Sequence, residues 1–207
     1  MDLQFYGANC LTITHKGTRL VIDDNLAELG AKSIHKQDDV LLFTSAHPLA
    51  DAKLIFDSPG EYETADISII GIDARLHLDE EGKKNGTIFK IIADDLNILF
   101  TGNIYPGLND NQLERIGAVD VLVVPVGGNG YTLDPIGAQK IIKIVEPKLI
   151  IPTHFDYPGI KYPVPQQTLE NALKELGVEA SQRLAKLRLK EDELPEVSQL
   201  YVLDVSS

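Results

Sequence analysis

The sequence predicts an α/β (α+β) fold, an αββα sandwich in which two mixed β-sheets pack between helices. Two observations indicate this fold. Up to Thr101, short segments rich in β-branched residues alternate with turn residues, and beyond it helical apolar periods alternate with buried strands. The 207 residues, 43% of them hydrophobic, can form a sizeable core, and the chain has no internal repeat or low-complexity linker. We therefore expect one domain, residues 1–207.

The first half of the chain predicts strands and few helices. The expected strands are residues 3–6, 10–14, 19–23, 40–43, 53–56, 67–72, 86–92 and 97–100. The first three are separated by short polar turns, which is typical of an antiparallel meander. Segment 25–39 is mixed and polar, so we expect a connecting loop there.

The second half predicts three helices between buried strands. The first helix contains Leu113 and Ile116 and is capped by Asn109 or Asp110; the second begins after Asp134 with Pro135 in its first turn. Pro165 is expected to open the third. Continuous apolar runs at 120–126 and 148–152 are typical of strands buried on both faces, and 187–189 and 200–203 alternate like a closing pair of strands.

Charge and cysteine content restrict the classes of partner. A net charge of -12 opposes binding to nucleic acids and to anionic membranes, because both depend on cationic contacts. The single cysteine, Cys10, cannot form an internal disulfide, and the start of the chain lacks the features of a secretory signal. We expect a cytoplasmic protein whose partner is a small molecule or another protein, with a homo-oligomer as an option.

The chain is organised around residues 43–51, Phe-Thr-Ser-Ala-His-Pro-Leu-Ala-Asp. They follow the apolar run 40–42, which is typical of a buried strand that stops abruptly and delivers His47 to its carboxyl end. Ligands bind at such strand ends in open α/β folds. This stretch is therefore the predicted position of a functional cleft.

Several motifs carry a resemblance to a known family. They are Pro-Gly-Glu-Tyr-Glu at 59–63, Gly-Lys-Lys-Asn-Gly-Thr-Ile at 82–88, Pro-Val-Gly-Gly at 125–128, Tyr-Thr-Leu-Asp at 131–134 and Pro-Lys-Leu-Ile-Ile-Pro-Thr-His at 147–154. With these motifs the chain resembles the metallo-β-lactamase fold superfamily. Within it, the chain is similar to the small branch of Zn-dependent hydrolases related to the ascorbate-phosphate lactonases.

The resemblance implies where two metal ions would bind. The first site would use Ser45, His47 and His77, the second would use Leu49, Ala50 and His154, and Asn103 would stand at the bridging position. Only three of these seven positions carry histidine. We expect Ala8, Asp23, Asp51, Asp79, Gly128 and Tyr131 to line the same cleft.

The substitutions argue against a dinuclear zinc centre. Leu and Ala offer zinc no electron pair, and Asn lacks the negative charge that would screen two neighbouring dications. We therefore expect no cofactor, or a single zinc or other divalent ion. The leading hypothesis is a degenerate centre in a catalytically impaired protein whose cleft binds a small molecule or a protein partner.

Two alternatives stay open for the three histidines. His47, His77 and His154 could hold one metal ion whose bound water attacks an ester, lactone or phosphodiester. They could instead be remnants that hydrogen-bond to Asp23, Asp51, Asp79 or backbone carbonyls. His15 and His35 lie in predicted polar turns and are expected to be solvated.

Overall fold

Two β-sheets form the centre of the protein in this computed structural model, which describes residues 1–47 and 50–206. The strands are β1 Asp2–Gly7, β2 Cys10–His15, β3 Thr18–Ile22, β4 Val40–Leu42, β5 Leu54–Phe56, β6 Gly60–Thr64, β7 Ile67–Ala74, β8 Gly86–Ala93, β9 Leu96–Phe100, β10 Val121–Pro125, β11 Leu149–Thr153, β12 Gln182–Leu184, β13 Leu187–Arg188 and β14 Gln199–Leu203. The helices are α1 Asp110–Ile116, α2 Pro135–Val145 and α3 Leu169–Leu176. This arrangement confirms the predicted α/β class with two mixed sheets and flanking helices.

The six-stranded sheet has the order β13-β1-β2-β3-β4-β5. Strands β1 to β3 form the predicted antiparallel meander, and β3, β4 and β5 run parallel. Alternate residues point to opposite faces of a strand. In β3, Leu20 and Ile22 accordingly belong to the large core between the sheets, whereas Val21 packs in a smaller cluster on the other face.

The eight-stranded sheet has the order β12-β14-β11-β10-β9-β8-β7-β6. Strands β9, β10, β11, β14 and β12 are parallel neighbours, and β6 to β9 are antiparallel. The expectation that 187–189 and 200–203 pair with each other is wrong, because β13 pairs with β1 and β14 pairs with β11. Alternating hydrophobicity indicates which face of a strand is buried, but it does not indicate the partner strand.

Side-chain caps set the starts of the helices. Asn109 and Gln112 form a reciprocal capping box at α1, and the Asp134 carboxylate accepts a 2.6 Å hydrogen bond from the Gly137 N–H in α2. The predicted start of the third helix at Pro165 is wrong. Thr168 caps α3, because its hydroxyl accepts a hydrogen bond from the Asn171 N–H.

The outer face of the six-stranded sheet is covered by segments of little regular structure. Within the predicted loop 25–39, Leu26–Leu29 forms one 3₁₀ turn, and its two leucines pack on Cys10 and Phe43 in the smaller cluster. Ile160 from a distant loop packs on the same cluster. Irregular segments thus bury the outer face of this sheet in the described structure.

The two histidines that were expected to be solvated are buried or half-buried. His15 is 4% exposed and lies 3.5 Å from Asp94, so the expectation that it is solvated is wrong. His35 is half-buried and hydrogen-bonded to the buried carboxylate of Asp24, which also contradicts the expected solvation.

In the described part of the chain, no helix combines the length and apolar character that crossing a membrane requires.

Candidate functional site

The ends of several strands meet in the cleft predicted from residues 43–51. Strands β3 and β4 are parallel, so Asp23 and Thr44 leave the six-stranded sheet at the same edge. Residues that follow β9 and β11 face them from the other sheet, and together they enclose a small cavity. Its polar lining consists of Asn9, Asp23, Asn25, Thr44, Ser45, Asn103 and His154. The cavity measures about 20 Å³, which is about the space that one water molecule needs.

A chain of neutral hydrogen bonds occupies the position of the bridging ligand. Asn103 Oδ1 accepts from Asn9 Nδ2 at 2.9 Å and from Thr132 Oγ1 at 2.6 Å. Asn9 Oδ1 in turn accepts from Thr153 Oγ1 at 2.9 Å. A carbonyl oxygen has two lone pairs, and both of those on Asn103 Oδ1 are therefore used within the protein. These four residues, Asn9, Asn103, Thr132 and Thr153, are called the amide network below.

Asp23 is the carboxylate of the cleft. It is buried, and it accepts 2.7 and 2.6 Å hydrogen bonds from the N–H and the hydroxyl of Thr44. Burial raises its pKa to about 6; the hydrogen bonds from Thr44 and a positive charge on His47 oppose that rise without cancelling it. Its backbone φ of 49° lies in the left-handed region, which costs energy for a residue other than glycine.

His154 lies on the opposite wall. Its N–H donates to Ala8 O at 2.8 Å, and its Nδ1 lies 3.2 Å from Gln166 Oε1. Burial lowers the pKa of His154 to about 4, so its imidazole is neutral at pH 7. The rings of Tyr131 and Tyr162 lie 5.7 and 4.8 Å from the imidazole ring, centroid to centroid.

The other two histidines do not line the cavity with His154. His47 stacks on Phe43 with ring centroids 3.9 Å apart, and its Nε2 lies 3.3 Å from Asp57 Oδ2. Asp57 was not among the carboxylates predicted as partners of the histidines. The His77 N–H donates to Asn103 O at 2.8 Å, while its Nδ1 is buried without a hydrogen-bond partner in the described structure. Burial lowers the pKa of His77 as well.

Of the remaining predicted residues, some lie at the cleft and others lie elsewhere in the structure. Ser45 lines the cavity, Ala8 contacts His154 through its carbonyl, and Gly128 adopts a left-handed turn beside Asp134. Ala50 packs beside the smaller cluster, Asp51 is exposed near Gln37, and Asp79 holds the turn 75–79 through the Leu76 N–H. Leu49 lies outside the described residues.

The side chains of the cleft do not fit a pair of metal ions. Within residues 1–47 and 50–206, no three His, Cys, Asp or Glu side chains lie close enough together to hold one ion. Ala50 has no donor atom, and Asn103 Oδ1 already accepts two hydrogen bonds. A cation at the bridging position would have to break the amide network.

Two glycines allow the close approach of backbone segments around the cleft. A Cβ atom at Gly102 would lie 2.2 Å from Thr44 Oγ1, and one at Gly127 would lie 1.9 Å from His154 O. Both distances are shorter than any non-bonded contact. Only glycine therefore lets the loops after β9 and β10 pack against these residues.

Comparison with known proteins assigns the chain to a family. The beta-lactamase superfamily domain matches residues 2–154, which is more than half of the chain. The chain belongs to this superfamily. A metallo-β-lactamase superfamily protein from Thermotoga maritima has the same fold, with a TM-score of 0.78, 24% identity and 98% of each chain covered.

Curated superfamily relatives match over shorter segments. A UPF0173 metal-dependent hydrolase from Salinibacter ruber is 32% identical over 97 residues, which are 46% of this chain and 41% of that protein. One from Carboxydothermus hydrogenoformans is 46% identical over 44 residues, 21% of this chain and 19% of that protein. The matched segments thus span less than half of either relative.

Six residues that contribute to the cleft were not among the site residues predicted from the sequence. They are Asn9, Asn25, Thr44, Thr132, Thr153 and Gln166. Asn9, Thr44, Thr132 and Thr153 stand directly next to predicted residues, namely Ala8, Ser45, Tyr131 and His154, so a search for hydrogen-bonding residues beside each predicted position would have found them. Nothing in the sequence around Asn25 or Gln166 indicates a role in the cleft.

Proposed function

We propose that this protein is a superfamily member without a dinuclear metal centre, catalytically impaired as a hydrolase, and that its cleft recognises a ligand. The observation that carries the proposal is the double hydrogen bond at Asn103 Oδ1. Two-metal hydrolysis needs an anion between the ions, and here a neutral amide is held in place by Asn9 and Thr132 instead. The acceptor capacity of Asn103 Oδ1 is therefore used within the protein.

The chemistry of the cleft suits a small polar group from a ligand or from a partner protein. Asn25 Oδ1 is a buried acceptor without a partner among the described residues, and Ser45 adds a hydroxyl. A buried acceptor without a donor costs about 1 to 3 kcal/mol, so a ligand N–H or O–H there would recover stability. The cavity of about 20 Å³ admits one such group beyond the cleft surface.

Metal analysis of the purified protein tests this proposal. We expect less than a tenth of an equivalent of zinc, manganese or iron by plasma mass spectrometry, and no change in melting temperature on adding zinc or EDTA. A ligand that binds only the folded state must raise its stability, so an unchanged melting temperature indicates no native metal site. One or two tightly bound equivalents, with ester hydrolysis lost in EDTA, would contradict the proposal.

A revertant provides the matched control. Replacing Ser45→His, Leu49→Asp, Ala50→His and Asn103→Asp restores the donor types that the superfamily pattern places there. We expect this variant to bind zinc and to melt at a higher temperature with zinc than without it. If the parent protein already behaves like the revertant, the parent retains its metal centre.

A mononuclear hydrolase is the second candidate, and one observation favours it. His77 Nδ1 is buried without a partner among the described residues, and His154 is neutral at pH 7, which is the form that binds metals. A single ion would need His47, His77 and His154 to converge. Two results together would favour this candidate. The parent protein would bind one equivalent of metal, which His77→Ala and His154→Ala would lose, and only the parent would hydrolyse p-nitrophenyl esters.

A further inference from the structure

A second cavity lies on the outer face of the six-stranded sheet, away from the cleft. It measures about 620 Å³, within the range of sites that bind drug-sized molecules. Its floor includes Tyr6 of β1 and Arg19 of β3, and its walls are segments 31–36 and 157–160. We call it the outer-face pocket. It lies on the face of the meander that the irregular segments 25–39 and 157–160 cover.

The wall at 31–36 is fixed by buried carboxylates. Asp24 Oδ2 accepts from the N–H groups of Ile34 and His35 at 2.9 Å each and lies 2.6 Å from His35 Nδ1. Asp39 Oδ2 accepts from the Lys36 N–H at 2.7 Å and from Arg19 at 2.5 Å. These bonds hold the wall in one conformation, so a ligand would meet a preformed pocket and would not have to order a loop.

The pocket is cationic although the protein is acidic. Lys32, Lys36, Arg19 and His35 contribute to its described lining, which includes no Asp or Glu. Arg19 is paired with Asp39, and His35 Nδ1 lies 2.6 Å from Asp24 Oδ2, whereas Lys32 and Lys36 enter no ion pair within the described chain. On a chain of net charge -12, these two ammonium groups without an ion pair are available to attract an anionic ligand.

The apolar part of the lining defines the rest of the ligand. Ile34, Ile160 and Val205 supply aliphatic surface, and Tyr6 and Tyr157 supply aromatic rings. We propose that the outer-face pocket binds a small organic anion, with an apolar ring system against these side chains and a carboxylate, sulfonate or phosphate beside Lys32 and Lys36. This site shares no described lining residue with the cleft and does not depend on the proposed function.

Two matched probes test the charge requirement. The anion 1-anilinonaphthalene-8-sulfonate and the neutral N-phenyl-1-naphthylamine share their ring system and differ by the sulfonate. We expect the folded protein to bind the sulfonate with 1:1 stoichiometry, and at least roughly tenfold more tightly than the neutral probe, because two cations attract it. In K32E/K36E the sulfonate should lose at least roughly tenfold in affinity, while affinity for the neutral probe stays within about twofold.

The control variant is K140E/K143E, which changes the net charge equally on the exposed face of α2. It should leave the affinity for the sulfonate within about twofold. Amide chemical shifts of the parent protein give a readout that needs no variant, and sulfonate should move the signals of residues 31–36 and 157–160. Equal binding of both probes, equal loss in both double variants, or shifts confined to other segments would overturn the proposal.

Discussion

The strand-end cleft and the outer-face pocket lie on different parts of the fold and have opposite properties. The cleft encloses about 20 Å³, and its polar groups bond mostly to one another. The outer-face pocket encloses about 620 Å³, and its two lysines have no ionic partner in the described structure. Buried polar groups that satisfy each other stabilise a structure, whereas uncompensated charge at a preformed concavity is available to a ligand. The two sites thus differ in how many of their polar groups are already satisfied within the protein.

Backbone strain adds to this comparison. Ala8, Asp23 and His154 all have positive φ values near 50°, and all three lie at the cleft. Such conformations cost on the order of 1 to 3 kcal/mol each and persist where surrounding contacts fix them. The cleft thus has a strained backbone of the kind that clusters at functional sites.

The largest predicted effect is on the pH dependence of the unfolding free energy, to which Asp23 and His154 contribute with opposite signs. The raised pKa of Asp23 gives stability below about pH 4 that is lost as the pH rises through about 6. The lowered pKa of His154 gives stability above about pH 6.5 that is lost as the pH falls through about 4. In the parent protein these two contributions oppose each other between pH 4 and 6.

A variant that lacks one of these two titratable side chains should show the pH dependence that the other contributes. In EDTA, the unfolding free energy of Asp23→Asn should rise with pH between 4 and 6.5, relative to the parent, by on the order of 3 kcal/mol. That of His154→Asn should fall over the same range by a similar amount. Urea titrations at four pH values measure both slopes. Parallel curves for the parent and both variants would show that neither group titrates as its burial requires.

Part of this structure could be predicted from the sequence, and part could not. The meander and the start of α2 after Asp134 follow from local patterns in the sequence. The amide network does not, because it joins Asn9 to residues 94 and 144 positions away, and local sequence does not predict such pairings.

Local polarity also misled the prediction at two histidines. His15 is in a turn-like segment but packs beside Asp94 in the turn between β8 and β9. His35 is held by Asp24 across segment 25–34. The outer-face pocket was missed for the same reason, since its walls come from two irregular segments far apart in the chain. Tertiary contacts decide the environment of a polar residue in an irregular segment.

The second prediction tests whether the cleft is a structural element. Asn103→Leu removes the acceptor of two hydrogen bonds and leaves Asn9 Nδ2 and Thr132 Oγ1 without it, so it should lower the unfolding free energy by about 2 kcal/mol or more. Asn103→Asp keeps an oxygen at that place and should cost less. Chemical denaturation at pH 7 measures both. An equal cost for the two variants would show that the acceptor is not the stabilising feature.

The third prediction concerns the wall of the outer-face pocket. Asp24→Asn keeps an oxygen for the Ile34 and His35 amides but makes both bonds neutral, so it should cost about 1 kcal/mol. Hydrogen exchange at these two amides should become faster. Asp38→Asn, an exposed position in the same segment, should change neither the stability nor the exchange. Faster exchange in both variants would indicate a general loosening unrelated to Asp24.

The smallest expected effect is the change in unfolding free energy when Lys32 and Lys36 are replaced, and it tests whether these lysines contribute to stability. Lys32 and Lys36 are exposed, and they enter no ion pair with any described residue, so K32A/K36A should change the unfolding free energy by less than about 0.5 kcal/mol. Asn103→Leu in the cleft should exceed that change several-fold. Thermal and urea unfolding of both variants against the parent measure the contrast. A loss above about 1 kcal/mol in K32A/K36A would mean that the two ammonium groups hold the wall of the pocket together, and their charge would then no longer indicate a ligand.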